Sequence, residues 1–254
     1  MSSSDSDRSK WYFSAVDRAI IFDVDGTLAE TEETHRRAFN RAFRGAGLSW
    51  SWDQDLYREL LAVTGGKERI RYFIEDYGAE GAPQDGLDEF IRALHAEKTA
   101  AYTKMVSGGE LELRPGVRTV ITAAREQGYR LAIATTTTPA NVDALLAATL
   151  GDTGQSLFEV ICAGDSVPNK KPAPDVYLRT LADLKLPAGS CVAIEDSRNG
   201  LLSARAAGIE TIVTPSTYTR DEDFDEAVLV IDDLESLDIT CFGVSRSPVP
   251  RHCR

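Results

Sequence analysis

The chain has 254 residues, 43% hydrophobic and 27% charged, which is the composition of a globular protein with one large or two smaller domains. Forty acidic against 28 basic residues leave a net charge of −12, so nucleic acid and anionic membranes are repelled over most of the surface. No apolar run approaches the ~18 residues of a membrane helix, and the opening Met1–Arg8 lacks the apolar stretch of a secretory signal. Residues 1–17 are mostly polar and serine-rich and are expected to be disordered. Ala19–Phe22 then has the length and composition of a buried strand. From Glu32 to Met105 no strand is expected. Thr34–Ala46, with Ala38, Phe39, Ala42, Phe43 and Ala46 on one face, Asp53–Ala62, Lys67–Tyr77 and Gly86–Thr103 all read as helical.

Alternation resumes after this block. Val117, Val120, Ile121 and Ala124 mark one helix face, and Asn141–Leu150, Asp175–Leu184 and Ser203–Ala207 are further helices. Between and after them, Tyr129–Ala134, Phe158–Cys162, Cys191–Ile194, Glu210–Val213 and Val228–Ile231 read as strands. The expected fold is therefore α/β, a doubly wound parallel sheet with helices on both faces and an inserted α-helical cap. Residues 18–31 and 106–244 are assigned to the core, 32–105 to the cap, and 245–254 to a loose tail. The run Asp221–Asp238 holds nine acidic and no basic residues and reads as a solvated face. Cys162 and Cys191 lie in apolar runs as small buried hydrophobes; with only Cys241 and Cys253 besides, no disulfide or zinc framework is expected. A reducing compartment follows, the cytoplasm or a plastid stroma.

Ligands of such sheets bind at the carboxyl ends of the strands. Four groups of polar residues fall there. Phe22-Asp23-Val24-Asp25-Gly26-Thr27 puts two carboxylates at the end of the first strand, costly unless a cation or proton transfer uses them. Thr135-Thr136-Thr137-Thr138-Pro139 places hydroxyls at a strand end where a helix opens, a potential anion site. Lys171 precedes the proline-stiffened start Pro172-Ala173-Pro174, and Glu195-Asp196 form a second acidic pair at a strand end. Taken singly, each has an ordinary reading as a turn, a helix cap or a surface lysine.

In order and spacing the four together resemble the motifs of the haloacid dehalogenase superfamily, over roughly residues 18–31 and 111–240. The resemblance implies Asp23 as nucleophile, Asp25 as acid/base with its backbone carbonyl in the metal shell, and Thr135 and Lys171 as phosphate-oxygen contacts. Glu195 and Asp196 join Asp23 and Asp25 around Mg²⁺, the expected cofactor. An aspartate at position 25 favours phosphoryl over carbon–halogen chemistry, because only the former needs that acid/base. A phosphomutase using the same aspartyl-phosphate remains open, since only the acceptor differs. A phospho-accepting receiver domain fits less well, because its nucleophile lies on the third strand and the chain is longer than it needs.

A closer resemblance, to the CbbY proteins related to β-phosphoglucomutase, rests on Thr27–His35, Val63–Ile70, His95-Ala96-Glu97-Lys98 and Ala134–Asn141. It implies hydrolysis of the 1-phosphate of xylulose 1,5-bisphosphate, a Rubisco inhibitor arising beside the Calvin cycle. A bisphosphate needs a second anion site, and Gly65-Gly66-Lys67 opening a helix supplies N–H groups, a dipole and an ammonium, with Arg69 and Arg71 nearby. Thr64, His95, Lys98, Thr136, Thr137 and Asn141 are further expected substrate contacts, Glu30 is expected to accept from a sugar hydroxyl, and His35 is ranked lower. The expected partner is a small phosphorylated sugar, with no nucleic acid, membrane or protein partner, and the chain is expected to be a monomer.

Overall fold

The computed structural model describes residues 18–241; the expectations for 1–17, 245–254 and Cys253 lie outside them. Six parallel strands form one sheet in the order β3-β2-β1-β4-β5-β6. They are β1 (Ala19–Phe22), β2 (Arg130–Ala134), β3 (Val160–Cys162), β4 (Cys191–Glu195), β5 (Glu210–Val213) and β6 (Leu229–Val230). β1 is flanked on both sides, Ile21 lying opposite Ala132 of β2 and Ala193 of β4. All four of its residues are buried, which is why it reads as a continuous apolar run.

The two faces of β1 build two cores. Ile20 and Phe22 pack with Val117, Val120 and Ile121 of α5 (Val117–Glu126) and with Val142 and Leu145 of α6 (Pro139–Leu150). Ala19 and Ile21 pack with Val176 and Leu181 of α7 (Asp175–Leu184) and Ala204 of α8 (Arg198–Ala206). Helices thus cover both faces, as the alternation predicts. The outer strands are shorter than their apolar runs. Phe158 precedes β3 and sets its ring edge-on to Phe22 at 6.2 Å instead of pairing in the ladder. α8 begins five residues before the expected Ser203, where the Ser197 side chain accepts from Gly200 N–H.

Between β1 and α5 lie four helices, α1 (Glu32–Gly45), α2 (Gln54–Leu60), α3 (Gly66–Asp76) and α4 (Leu87–Ser107). They share a third core, in which Trp52 is fully buried with Phe39 at 4.6 Å, Phe43 at 4.8 Å and Phe73 at 5.4 Å between ring centroids. Tyr218, from the loop after β5, enters this aromatic cluster and donates to Glu33 at 2.8 Å. The helical block is therefore seated on the carboxyl edge of the sheet. No described helix is long and apolar enough to cross a membrane.

Candidate active site

The ends of β1, β2 and β4 bring the four sequence groups together. Asp23 leaves β1 with its N–H bonded to Ile194 O of β4 at 3.0 Å, and the chain then turns sharply through Gly26. Gly26 adopts φ +82°, and a Cβ there would lie 2.1 Å from Asp196 Oδ2. Only glycine lets this turn press against Asp196. Lys171 reaches in from the loop before α7 and donates to Asp23 Oδ1 at 2.6 Å, Glu195 Oε1 at 2.7 Å and Ala134 O at 3.0 Å. All three of its protons are thereby used.

Buried carboxylates outnumber the cations here. Asp23, Glu195 and Asp196 are all buried, with ligand oxygens within 4.8 Å of one another, and Glu195 Oε2 has no hydrogen-bond partner. Burial pushes the Asp23 carboxyl up to about 8 against the pull of Lys171, with Glu195 and Asp25 adding to the rise. Burial likewise raises Asp196 well above the usual carboxylate range, helped by Asp23 and Glu195. A hard divalent cation with oxygen ligands fits this donor set. Sequence reasoning missed Tyr177, which donates to Glu195 Oε1 at 2.5 Å. Its signal was weak, since a tyrosine in an apolar helix stripe looks like ordinary core.

Asp25 has a different environment. Burial opposes its ionisation, but the His35 ring and the Thr31 hydroxyl outweigh burial and hold the carboxyl below its usual range. Thr31 donates to Asp25 Oδ1 at 2.6 Å, and His35 Nε2 lies 2.9 Å from the same oxygen. Lys98 Nζ is 2.7 Å from His35 Nδ1, and the His35 ring stacks on Tyr102 at 4.0 Å. An ammonium donating to Nδ1 leaves Nε2–H to donate toward Asp25. His35, ranked low from sequence, thus links the helical block to the β1 carboxylate. Spacing could not show this, because the chain of contacts joins β1, α1 and α4.

Asp23, Asp25, Lys171 and Asp196 line a cavity of about 150 Å³ between the sheet edge and the helical block. Thr64, Gly65, Gly66, Lys67, Arg69, His95 and Lys98 line its upper wall, and Thr135, Thr136, Thr137 and Asn141 its lower. Glu195 lies behind Lys171 and is fully buried. Asn141 Nδ2 donates to Thr137 Oγ1 at 2.9 Å, and Thr137 N–H to Thr135 Oγ1 at 3.2 Å, so the threonine cluster also orders its own helix start.

Three of the expected contact residues have other partners. Glu30 is outside the cavity: it pairs with Arg114 Nε at 3.4 Å and accepts from Thr217 N–H at 3.3 Å, because the chain has already turned outward there. Arg69 forms part of the wall, yet its Nε donates to Leu60 O at 3.1 Å and its Nη1 to Tyr57 Oη at 3.0 Å. It caps the end of α2 and is held by the cap core. Arg71 points away and pairs with Glu75 and Asp88 across an outer groove. Lys67, in contrast, reaches Asp165 Oδ2 at 2.5 Å, and Lys170 reaches Asp165 Oδ1 at 2.9 Å. Asp165 and Lys170 were not singled out by the sequence reading; a charged pair in a loop carries no spacing signal. The acidic run is solvated, as expected: seven of its nine acidic residues are exposed, Glu222 among them, which also accepts from Arg198 N–H at 2.6 Å.

Burial first, then the Lys98 and Lys67 charges, pushes the His95 imidazole down to about 3 from 6.5. The folded protein then binds fewer protons than the unfolded chain between these values, so stability falls as pH drops through that window. At about pH 5 the single-site effect is on the order of 2 kcal/mol. His95→Gln is uncharged throughout and is expected to lose less stability than wild type on going from about pH 7 to about pH 5 in urea titrations. Equal losses would exclude His95 as the source.

Comparison with known proteins is consistent with this geometry. The family model for haloacid dehalogenase-like hydrolases matches residues 18–208. Protein CbbY of Rhodobacter capsulatus is 54% identical over 219 residues, covering 86% of this chain and 94% of its own. The crystal structure of CbbY from Rhodobacter sphaeroides in complex with phosphate superposes with a TM-score of 0.82 at 47% identity, covering 86% of this chain and 95% of that one. A mutant of that protein in complex with xylulose-(1,5)bisphosphate superposes equally well, at 47% identity over 87% of this chain and 96% of its own. Four converging strand-end motifs, the sheet order and these likenesses agree: the chain belongs to the haloacid dehalogenase-like hydrolases and, within them, to the CbbY proteins.

Proposed function

We propose that this enzyme removes the 1-phosphate from xylulose 1,5-bisphosphate through a phospho-aspartate at Asp23, with Mg²⁺ as cofactor. Residues 18–31 and 106–244 serve as catalytic core and 32–105 as a closing cap, in a monomer. The observation that carries the reading is the two-ended cavity. One end holds the carboxylates around Lys171, and another part of the same wall holds Lys67 and Lys170 around Asp165. Two places in one cavity that offer lysine ammonium groups, the first of them needing a divalent cation to offset its carboxylates, suit a sugar with two phosphates.

Asp23, Asp25, Glu195 and Asp196 are the residues that would hold the metal; Asp25 would do so through its backbone carbonyl. When bound, Mg²⁺ offsets the repulsion between these carboxylates and the phosphate dianion. A carboxylate oxygen of Asp23 attacks phosphorus in line as the bond to the sugar oxygen breaks. Lys171 and the Thr135 hydroxyl stabilise the charge on the equatorial oxygens. The arriving dianion raises the Asp25 carboxyl, so Asp25 takes up a proton with substrate and passes it to the leaving alkoxide. Asp25 then removes a proton from water, which attacks the phospho-aspartate and frees phosphate and Asp23.

Phosphate release measured across sugar mono- and bisphosphates with Mg²⁺ tests the reading. Preference for the pentulose bisphosphate is expected; conversion of a hexose 1-phosphate to its isomer without phosphate release would make the enzyme a mutase. Lys67→Ala should raise KM for the bisphosphate far more than for a small monophosphate. A lost charge-assisted contact costs ~1.5–3 kcal/mol. Asp165 already neutralises part of the Lys67 charge, so the loss in kcat/KM should sit near the lower end, about tenfold. Equal losses on both substrates would assign Lys67 to closure in general.

A further inference from the structure

Arg114 sits in the connection that returns from the helical block to the sheet, and it is only 9% exposed. Its backbone N–H donates to Leu28 O, in the outgoing connection, at 2.8 Å. Its guanidinium Nη1 donates to Gly26 O and to Thr214 O, the latter at 2.6 Å. Nη2 donates to Pro215 O at 2.9 Å and Asp232 O at 3.1 Å, and Nε faces Glu30 Oε1 at 3.4 Å. Nη1 and Nη2 thus donate to four carbonyls while Nε is ion-paired, and the fork joins four stretches of chain: the turn at Gly26, the outgoing connection at Glu30, the loop after β5, and Asp232 beyond β6.

Such an arrangement does more than fill space. Gly26 follows Asp25 directly, and its Cα is pressed against Asp196, where a Cβ would lie 2.1 Å from the carboxylate. A shift of the Gly26 carbonyl therefore moves the Asp25 backbone or drives the turn into Asp196. Glu30 and Leu28, held by the same arginine, lie on the path into α1, whose His35 contacts Asp25. We infer that Arg114 is a positioning residue that fixes the Asp25–Gly26 turn relative to Asp196 and ties it to both connections of the helical block. Arg114 touches no cavity-lining carboxylate itself and acts through Gly26 and Glu30. A planar fork is needed, because a lysine ammonium carries only three donors from one point and cannot span these carbonyls.

The inference needs only the phosphatase chemistry of the site, not the identity of the sugar. Arg114→Lys keeps the charge and removes the fork. With Mg²⁺ present, kcat per folded molecule should fall at least about tenfold on both xylulose 1,5-bisphosphate and p-nitrophenyl phosphate, with KM changing less than about threefold. Amide hydrogen exchange should quicken in residues 24–30 and 214–217 and stay unchanged in β2 and β4. Glu30→Gln, at a half-exposed site, should shift both readouts in the same direction by less, and it carries the test if Arg114→Lys does not fold. A kcat within twofold of wild type, or unchanged exchange in 24–30, overturns the inference; an arginine that only stabilises the fold would leave kcat per folded molecule intact. Should the wild-type protein hydrolyse neither substrate, the proposed function fails, and the exchange comparison alone decides the role of Arg114.

Discussion

Asp23→Asn should leave a folded protein with kcat lowered by ~10⁴ or more, a barrier increase of about 5 kcal/mol. An amide cannot form the acyl phosphate, and no other carboxylate at the site can replace it. Asp25 is turned toward Thr31 and His35, Glu195 is fully buried behind Lys171, and Asp196 lies against the Gly26 turn. The fold should tolerate the change. Burial already inclines the Asp23 carboxyl toward its neutral form, pushing it up to about 8, and asparagine is a neutral group of the same shape. The amide oxygen can still accept from Lys171. Phosphate release would be followed for wild type and variant, with circular dichroism and a melt establishing that both are folded. Retention of even a tenth of wild-type kcat in the folded variant would remove Asp23 as nucleophile.

Exhaustive chelation is expected to abolish turnover, and added Mg²⁺ to restore it. Three buried carboxylates lie with oxygens within 4.8 Å, and Lys171 is the cation that directly contacts two of them. At an effective dielectric near 20, a pair of like charges ~4 Å apart repels by about 4 kcal/mol, and a phosphate dianion brings two more negative charges to the same place. Without a divalent cation the carboxylates retain protons, and a protonated Asp23 is a poor nucleophile. Mg²⁺ should also raise the melting temperature of the wild-type protein, because it binds a cluster that exists only in the folded state. Full activity after dialysis against EDTA would overturn the metal assignment.

Much of this site was legible in the order of residues alone. A short apolar run followed by carboxylates, hydroxyls or a lysine places those groups at strand ends, and strands alternating with helices form a parallel sheet that gathers those ends along one edge. Asp23, Thr135, Lys171 and Asp196 could therefore be grouped although they span the chain from 23 to 196. The helical insertion was equally plain, since its apolar residues recur with a period of 3.6 and nowhere alternate. The same local signals misled where a side chain's partner is distant in sequence. Glu30, Arg69 and Arg71 lie beside recognisable motifs, yet their donors and acceptors are taken by Thr217 and Arg114, by Leu60 and Tyr57, and by Glu75 and Asp88. His35, Asp165, Tyr177 and Arg114 have no distinctive spacing at all, and they acquire meaning only through contacts that packing creates. Sequence pattern determines which residues are buried and which strand ends they occupy, because burial follows a local period. Which charged groups meet across the cavity is decided by the tertiary structure, because hydrogen bonds depend on directions and distances that no period encodes.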